Sequence, residues 1–181
     1  MEMSYSHVPN ALSFSRIVLA ALFPFVSWEA RVYILVLAGL TEFLDGFLAR
    51  RFGFETIFGQ ILDPAADKIF ALSVGLTLVA SHHLTLPELV LVLSRDIVVA
   101  LGAMSLAVMG RSSEIKDFRP NGIGKWATAF QYIFFLLATR ESKLEIPFMV
   151  FTAFFSAVAA VKYIQDFTAL LGKLSARRGS L

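Results

Sequence analysis

The stretch EFLDGFLARRFGFETIFGQILDPAAD, residues 42–67, decides how the whole chain is read. It joins two apolar runs, yet it carries acidic residues at positions 42, 45, 63 and 67. Glu42, Asp45 and Ala49 follow i, i+3, i+7 spacing and share one helical face, which Gly46 and Ala49 leave locally bare. Asp63 and Asp67 are spaced i, i+4 on the next helix. A short loop around Gly53 to Gly59 makes the two helices antiparallel neighbours. Asp45 precedes Gly53 by eight residues and Asp67 follows Gly59 by eight, so each carboxylate stands about 12 Å along its helix from the loop. Side by side, the two helices can gather all four carboxylates in one cavity.

The flanking sequence says what solvent these charges sit in. With 57% hydrophobic residues over 181 positions and a mean hydropathy of +0.71, the chain has more apolar surface than one soluble core of this length can hide. It reads as an all-α integral membrane protein. The formal charge of +2 comes from 16 basic against 14 acidic residues, too even a balance for nucleic-acid binding. The absence of cysteine excludes disulfides, thiolate metal sites and cysteine nucleophiles. The first apolar run lacks a good small-x-small cleavage site and is expected to be a retained helix.

Apolar runs between short polar punctuation predict six transmembrane helices, near 10–28, 31–52, 60–81, 87–110, 123–139 and 146–170. A short N-terminal juxtamembrane segment bends at Pro9. No repeat or long linker interrupts the chain, so residues 1–181 are expected to form a single domain. With both termini cytoplasmic, that side collects Arg16, Arg50, Arg51, Lys68, Arg111, Lys116, Arg119, Lys125, Lys173, Arg177 and Arg178. The opposite side keeps Arg31, Arg140 and Lys143. This split of eleven to three is a positive-inside signal, and it puts the 42–67 loop on the cytoplasmic side.

One acidic residue near a membrane-helix end would read as a solvated or snorkelling group. Four together in a medium of low dielectric repel one another and pay for desolvation unless cations join them. Hard oxygen donors, with no cysteine and no histidine nearby, point to Mg²⁺ or Mn²⁺, and four carboxylates from two helices suit a pair of ions. The small residues beside them admit a phosphorylated substrate. Pro64 implies that the third helix either starts near Leu62 or is kinked there.

These residues carry a family likeness. DGFLARRFGFETIFGQILDPAAD resembles the signature of the CDP-alcohol phosphotransferases, D-x2-D-G-x2-A-R-x8-G-x3-D-x3-D, with Asp45, Gly46, Ala49, Arg50, Gly59, Asp63 and Asp67 in register. VPNALSFSRIVLA, LDPAADK and GIGKWATAFQ resemble further segments of the family, so the likeness covers most of the chain. The first position departs: Glu42 stands where the family has Asp, and its extra methylene moves the carboxylate by roughly 1.5 Å.

The resemblance implies transfer of a phosphatidyl group from CDP-diacylglycerol to an alcohol, with release of CMP. It implies that Glu42, Asp45, Asp63 and Asp67 bind two divalent cations, with Asp67 doubling as general base. It implies nucleotide contacts at Asp45, Gly46, Ala49, Arg50 and Gly59. It also implies a multi-pass protein of the cell (inner) membrane with its site open to the cytoplasm, and a homodimer as the assembly.

The basic residues Arg111, Lys116, Arg119 and Lys125 suit an acceptor bearing a phosphate, although positive-inside bias alone also places charge there. Of these, Arg111, Arg119 and Lys125 are the candidate acceptor contacts. Glycerol 3-phosphate is the expected acceptor. LSRDIVV in the fourth helix, and Ala127 in GKWAT where members using glycerol 3-phosphate usually carry a second Lys, resemble instead the eukaryotic-type cardiolipin synthases, whose acceptor is phosphatidylglycerol. Arg95 and Asp96, deep in the fourth helix, are expected to form a structural ion pair with another helix, with Lys162 as a candidate partner. His82 and His83 fall in an outer turn away from the carboxylates. The competing readings are a relative weakened at Glu42, and a membrane transporter, which would more often show inverted repeats.

Overall fold

The computed structural model describes the backbone of residues 8–52, 59–110 and 122–178, and side chains over 11–41, 65–110, 124 and 126–172. Among the described residues the architecture is all-helical: α1 (Val8–Leu22), a 3-10 turn (Phe23–Phe25), α2 (Trp28–Phe52), α3 (Gly59–Ala80), α4 (Leu86–Val92), α5 (Ser94–Val108), α6 (Gly122–Thr139) and α7 (Glu145–Arg178). These coincide with the six helical runs expected from the sequence, with differences at the breaks and ends. They fall into two compact units, residues 1–85 with 135–143, and residues 86–134 with 144–181.

In the first unit α1 packs along α3 and against α2. The register is set by the Ser73 hydroxyl, which donates to the Ala20 carbonyl at 2.6 Å, and by Phe23 meeting Phe70 edge to face at 6.2 Å. Because Arg16 meets Asp67 and Ala20 meets Ser73, α1 and α3 run in the same direction. Ala66, Phe70 and Val74 form the buried stripe of α3. Sequence hydropathy extends the first helix to residue 28, but Pro24 lacks an N–H and the chain turns there. Arg31 completes that turn. Its Nε donates to the Phe23 carbonyl at 3.3 Å and its Nη2 to the Pro24 carbonyl at 3.1 Å, while its guanidinium lies 4.5 Å from the Trp28 ring centre. Arg31, read from the sequence as a charge of the outer side, is therefore a buried cap.

α3 and α6 both end in a left-handed residue that is not glycine. His82 (φ 61°) and Glu141 (φ 50°) each sit at the position after the helix cap. The His83 N–H bonds the Leu78 carbonyl and the Ser142 N–H bonds the Leu137 carbonyl, closing each terminus. The His83 ring stands edge-on to Trp28 at 4.4 Å, with Nε2 3.4 Å from Glu141 Oε1.

In the second unit the expected helix 87–110 is two helices, α4 and α5, bent by 67° at Leu93. The cause lies on α7. Ser156 inserts its hydroxyl into the break, accepting from the Arg95 N–H at 3.1 Å and donating to the Val92 carbonyl at 2.9 Å. Ser94 also donates to it, at 3.1 Å. Beyond this point α5 and α7 pack through Ala159 and Tyr163, flanked by Val98, Val99 and Phe167. Phe130 stacks on Phe155 with ring centres 5.0 Å apart.

The distribution of polarity is unusual for a chain in water. Phe25, Tyr33, Val108, Ile146 and Phe154 are exposed, while Ser13, Arg16, Arg95, Gln131, Thr139, Thr152 and Ser156 are buried. Thr77, Thr139 and Thr152 satisfy their hydroxyls on the carbonyl one turn earlier in their own helix. Among the described residues, Glu145–Gly172 is long and apolar enough to cross a membrane, and α4 with α5 make a second such stretch if the bent pair is one span.

Candidate active site

The signature residues divide between two helices of the first unit. Glu42, Asp45, Gly46, Ala49 and Arg50 lie on the C-terminal half of α2, and Gly59, Asp63 and Asp67 on the N-terminal half of α3. Asp45 stands seven residues before the end of α2 at Phe52, and Asp67 eight after the start of α3 at Gly59. These separations correspond to depths of about 10 and 12 Å. The six residues 53–58 between the helices lie outside the described residues and can span at most about 25 Å. α3 starts at Gly59, three residues before Leu62. It runs through the proline, whose missing N–H deprives the Gln60 carbonyl of its partner within the helix.

Asp67 is the one carboxylate of the four whose side chain is described, and it is one-third exposed. Arg16, on α1, is 1% exposed and donates from Nη1 to Asp67 Oδ1. A guanidinium buried this deeply is stable only when paired. Arg16, placed from the sequence on the cytoplasmic side, is an interior group with a signature aspartate among its partners. The signal was present in ALSFSRIVLAALF, where a lone Arg six residues inside an apolar run calls for a counter-charge elsewhere.

Glu42, Asp45, Arg50 and Asp63 have side chains outside the described residues, and among the described residues no three His, Asp or Glu side chains converge as a metal site. The donor set has a definite chemistry. It consists of hard carboxylate oxygens on two helices of one unit, and Asp67 is open to an incoming ligand, which fits divalent cations of the Mg²⁺ and Mn²⁺ class.

The acceptor candidates divide differently. Arg111 and Arg119, with Lys116, lie outside the described residues, and Lys125 stands in the first turn of α6 with its side chain likewise outside. Arg95 is described in full. Its Nη2 donates to Asp96 Oδ1 at 2.7 Å, and its Nη1 donates to the Gly124 carbonyl and, at 2.7 Å, to Thr128 Oγ1. Arg95 thus pairs with the neighbouring Asp96 and adds neutral bonds to α6. Lys162, the candidate partner, is exposed. His82 and His83 lie in the turn after α3, as expected.

Comparison with known proteins gives these residues a family. A sequence model described as CDP-alcohol phosphatidyltransferase matches residues 6–162. Proteins named CDP-diacylglycerol--glycerol-3-phosphate 3-phosphatidyltransferase from Salmonella paratyphi A (strain ATCC 9150 / SARB42), Shigella flexneri and Escherichia coli (strain K12) are each 30% identical to this chain, with 97% of either chain covered. The chain belongs to the CDP-alcohol phosphatidyltransferase family.

Proposed function

We propose that the chain transfers the phosphatidyl group of CDP-diacylglycerol to glycerol 3-phosphate, yielding phosphatidylglycerophosphate and CMP. The observation that carries the reading is Asp67 itself: a reachable carboxylate at the last position of the signature, held from behind by a buried arginine. The printed names of the relatives support the choice of donor and acceptor.

In this reading Glu42, Asp45, Asp63 and Asp67 hold two divalent cations, which when bound supply the positive charge that neutralises the donor pyrophosphate. Asp67 accepts the proton of the acceptor hydroxyl. The freed oxygen forms a bond to the phosphatidyl phosphorus as the bond from that phosphorus to the CMP oxygen breaks. Gly46, Ala49 and Gly59 leave room for the cytidine and its phosphates, and Arg50 contacts them. Arg111, Arg119 and Lys125 bind the acceptor phosphate.

We place the chain in the cell membrane as one domain of six spans, with the site on the cytoplasmic side. The buried hydroxyls and guanidinia beneath an exposed apolar surface support a lipid environment, and the distribution of Lys and Arg supports the orientation. A homodimer is the assembly proposed from the family.

Transfer to phosphatidylglycerol is the second reading. Ala127, where a second Lys is usual in glycerol 3-phosphate users, is 1% exposed and so is a packing position. Detergent-solubilised protein given CDP-diacylglycerol, Mg²⁺ or Mn²⁺ and each acceptor in turn should release CMP with glycerol 3-phosphate. Asp67→Asn should abolish that release. Release only with phosphatidylglycerol selects the second reading, and no release with any acceptor refutes both.

A further inference from the structure

We propose that Arg16 is a positioning residue for the catalytic carboxylate, aiming Asp67 toward its ligands from behind; the inference rests on the role given to Asp67 above.

The exposure of the two partners is the first argument. An ion pair that served packing alone would bury both groups, but here the cation is 1% exposed and the anion 33%. The pair therefore has a fixed interior end and an open end, and the open end is the signature aspartate. The helix register is the second. Ala66 and Phe70 are fully buried on the stripe of α3 that faces α1, and Asp67, about 100° around the helix from Ala66, stands at the edge of that seam. From there its side chain can reach inward to Arg16 or outward. Among the described residues its contact is through Oδ1, which leaves Oδ2 for the open side.

Chemistry supplies the third argument. An aspartate on a helix surface has two soft torsions, and a charge-assisted bond at one oxygen removes most of that freedom. Arginine is suited to this task because its delocalised, weakly hydrated guanidinium can be buried and still present a charged N–H to one carboxylate oxygen. Arg16 is itself fixed, since α1 is tied to α3 one turn further on by Ser73 and Ala20. Carboxylates that bind metals or move protons depend strongly on such partners, whose loss commonly costs about 10–100-fold in affinity or rate.

The test uses full-length protein in detergent with four chains: wild type, Arg16→Met, Asp67→Asn and the double variant. For each, the kinetic constants for CMP release and the Mn²⁺ concentration giving half-maximal thermal stabilisation are measured. Arg16→Met should lower kcat by about 10–100-fold and leave the KM for CDP-diacylglycerol within about threefold, and should raise the Mn²⁺ midpoint by about tenfold. In the Asp67→Asn background the same substitution should move the Mn²⁺ midpoint far less, because the carboxylate being positioned is gone.

An Mn²⁺ midpoint that moves equally in both backgrounds, or a wild-type kcat in folded Arg16→Met, overturns the inference. If Arg16→Met does not fold, Arg16→Lys decides. It keeps the charge but not the reach and planar geometry that bring Nη1 to Oδ1, so a kcat reduced by about fivefold or more at unchanged KM supports positioning, and wild-type kinetics overturn it. Full CMP release by Asp67→Asn would refute the role of Asp67 itself, an outcome separate from an inactive Asp67→Asn beside an unaltered Arg16→Met.

Discussion

Ser156→Ala should destabilise the second unit far more than the loss of one hydroxyl suggests. In an unbroken helix the Arg95 N–H would bond the Leu91 carbonyl and the Val92 carbonyl would accept from Asp96. At the 67° break between α4 and α5, Ser156 serves both, at 3.1 and 2.9 Å, while being only 2% exposed. Alanine leaves one buried donor and one buried acceptor unmatched. At about 1–3 kcal/mol for each such group, the expected loss is about 2–6 kcal/mol. For a chain of this size that corresponds to a fall in Tm on the order of 8 °C. The control is Ser105→Ala. Ser105 also donates to a carbonyl, that of Leu101 at 2.8 Å, but within one continuous helix, so its loss orphans no backbone group and should cost within about 0.5 kcal/mol. Both variants are read by thermal unfolding in the same detergent. If Ser156→Ala melts within about 1 °C of Ser105→Ala, the bend does not depend on Ser156 and the reasoning is refuted.

Two further outcomes follow from local geometry. Glu42→Asp restores the usual first residue of the signature and should preserve kcat or raise it by up to about tenfold in the CMP-release assay; a loss would mean that the site is built around the longer side chain. His82→Gly relieves a left-handed backbone (φ 61°) and should stabilise the protein by about 0.5–1 kcal/mol, seen as a Tm higher by roughly 2 °C. A fall in Tm for that variant would show that the His82 side chain contributes more than its backbone costs.

The helices were legible because long apolar runs and a proline-marked turn act locally. The break at Leu93 was not, because the hydroxyl that creates it is 63 residues away on α7, and nothing in LVLSRDIVV announces it. α7 passes the expected end at residue 170 and continues to Arg178, since hydropathy marks where an apolar run ends and not where helix propensity ends. Pro64 was expected to start or kink α3 near Leu62, but α3 begins at Gly59 and runs on past the proline. In the candidate site, the spacing of Glu42, Asp45, Asp63 and Asp67 was readable because helical periodicity places them. That Arg16, inside an apolar run, needs a counter-charge was readable too, but not which carboxylate meets it, because only tertiary contact brings α1 and α3 together.

The pairing of Arg16 with Asp67 also constrains how the chain is made. An arginine inside an apolar helix costs about 2.5–3.5 kcal/mol to insert alone, and Asp67, which pairs with Arg16, is 51 residues downstream. At about 5–20 residues per second, synthesis reaches that aspartate roughly 3–10 s later. In a bilayer, α1 would therefore be a marginal membrane segment until α3 arrives, and the two helices, though separated in sequence by α2, would settle as partners. In a bilayer the charge that meets Asp67 would make α1 depend on α3 for stable insertion.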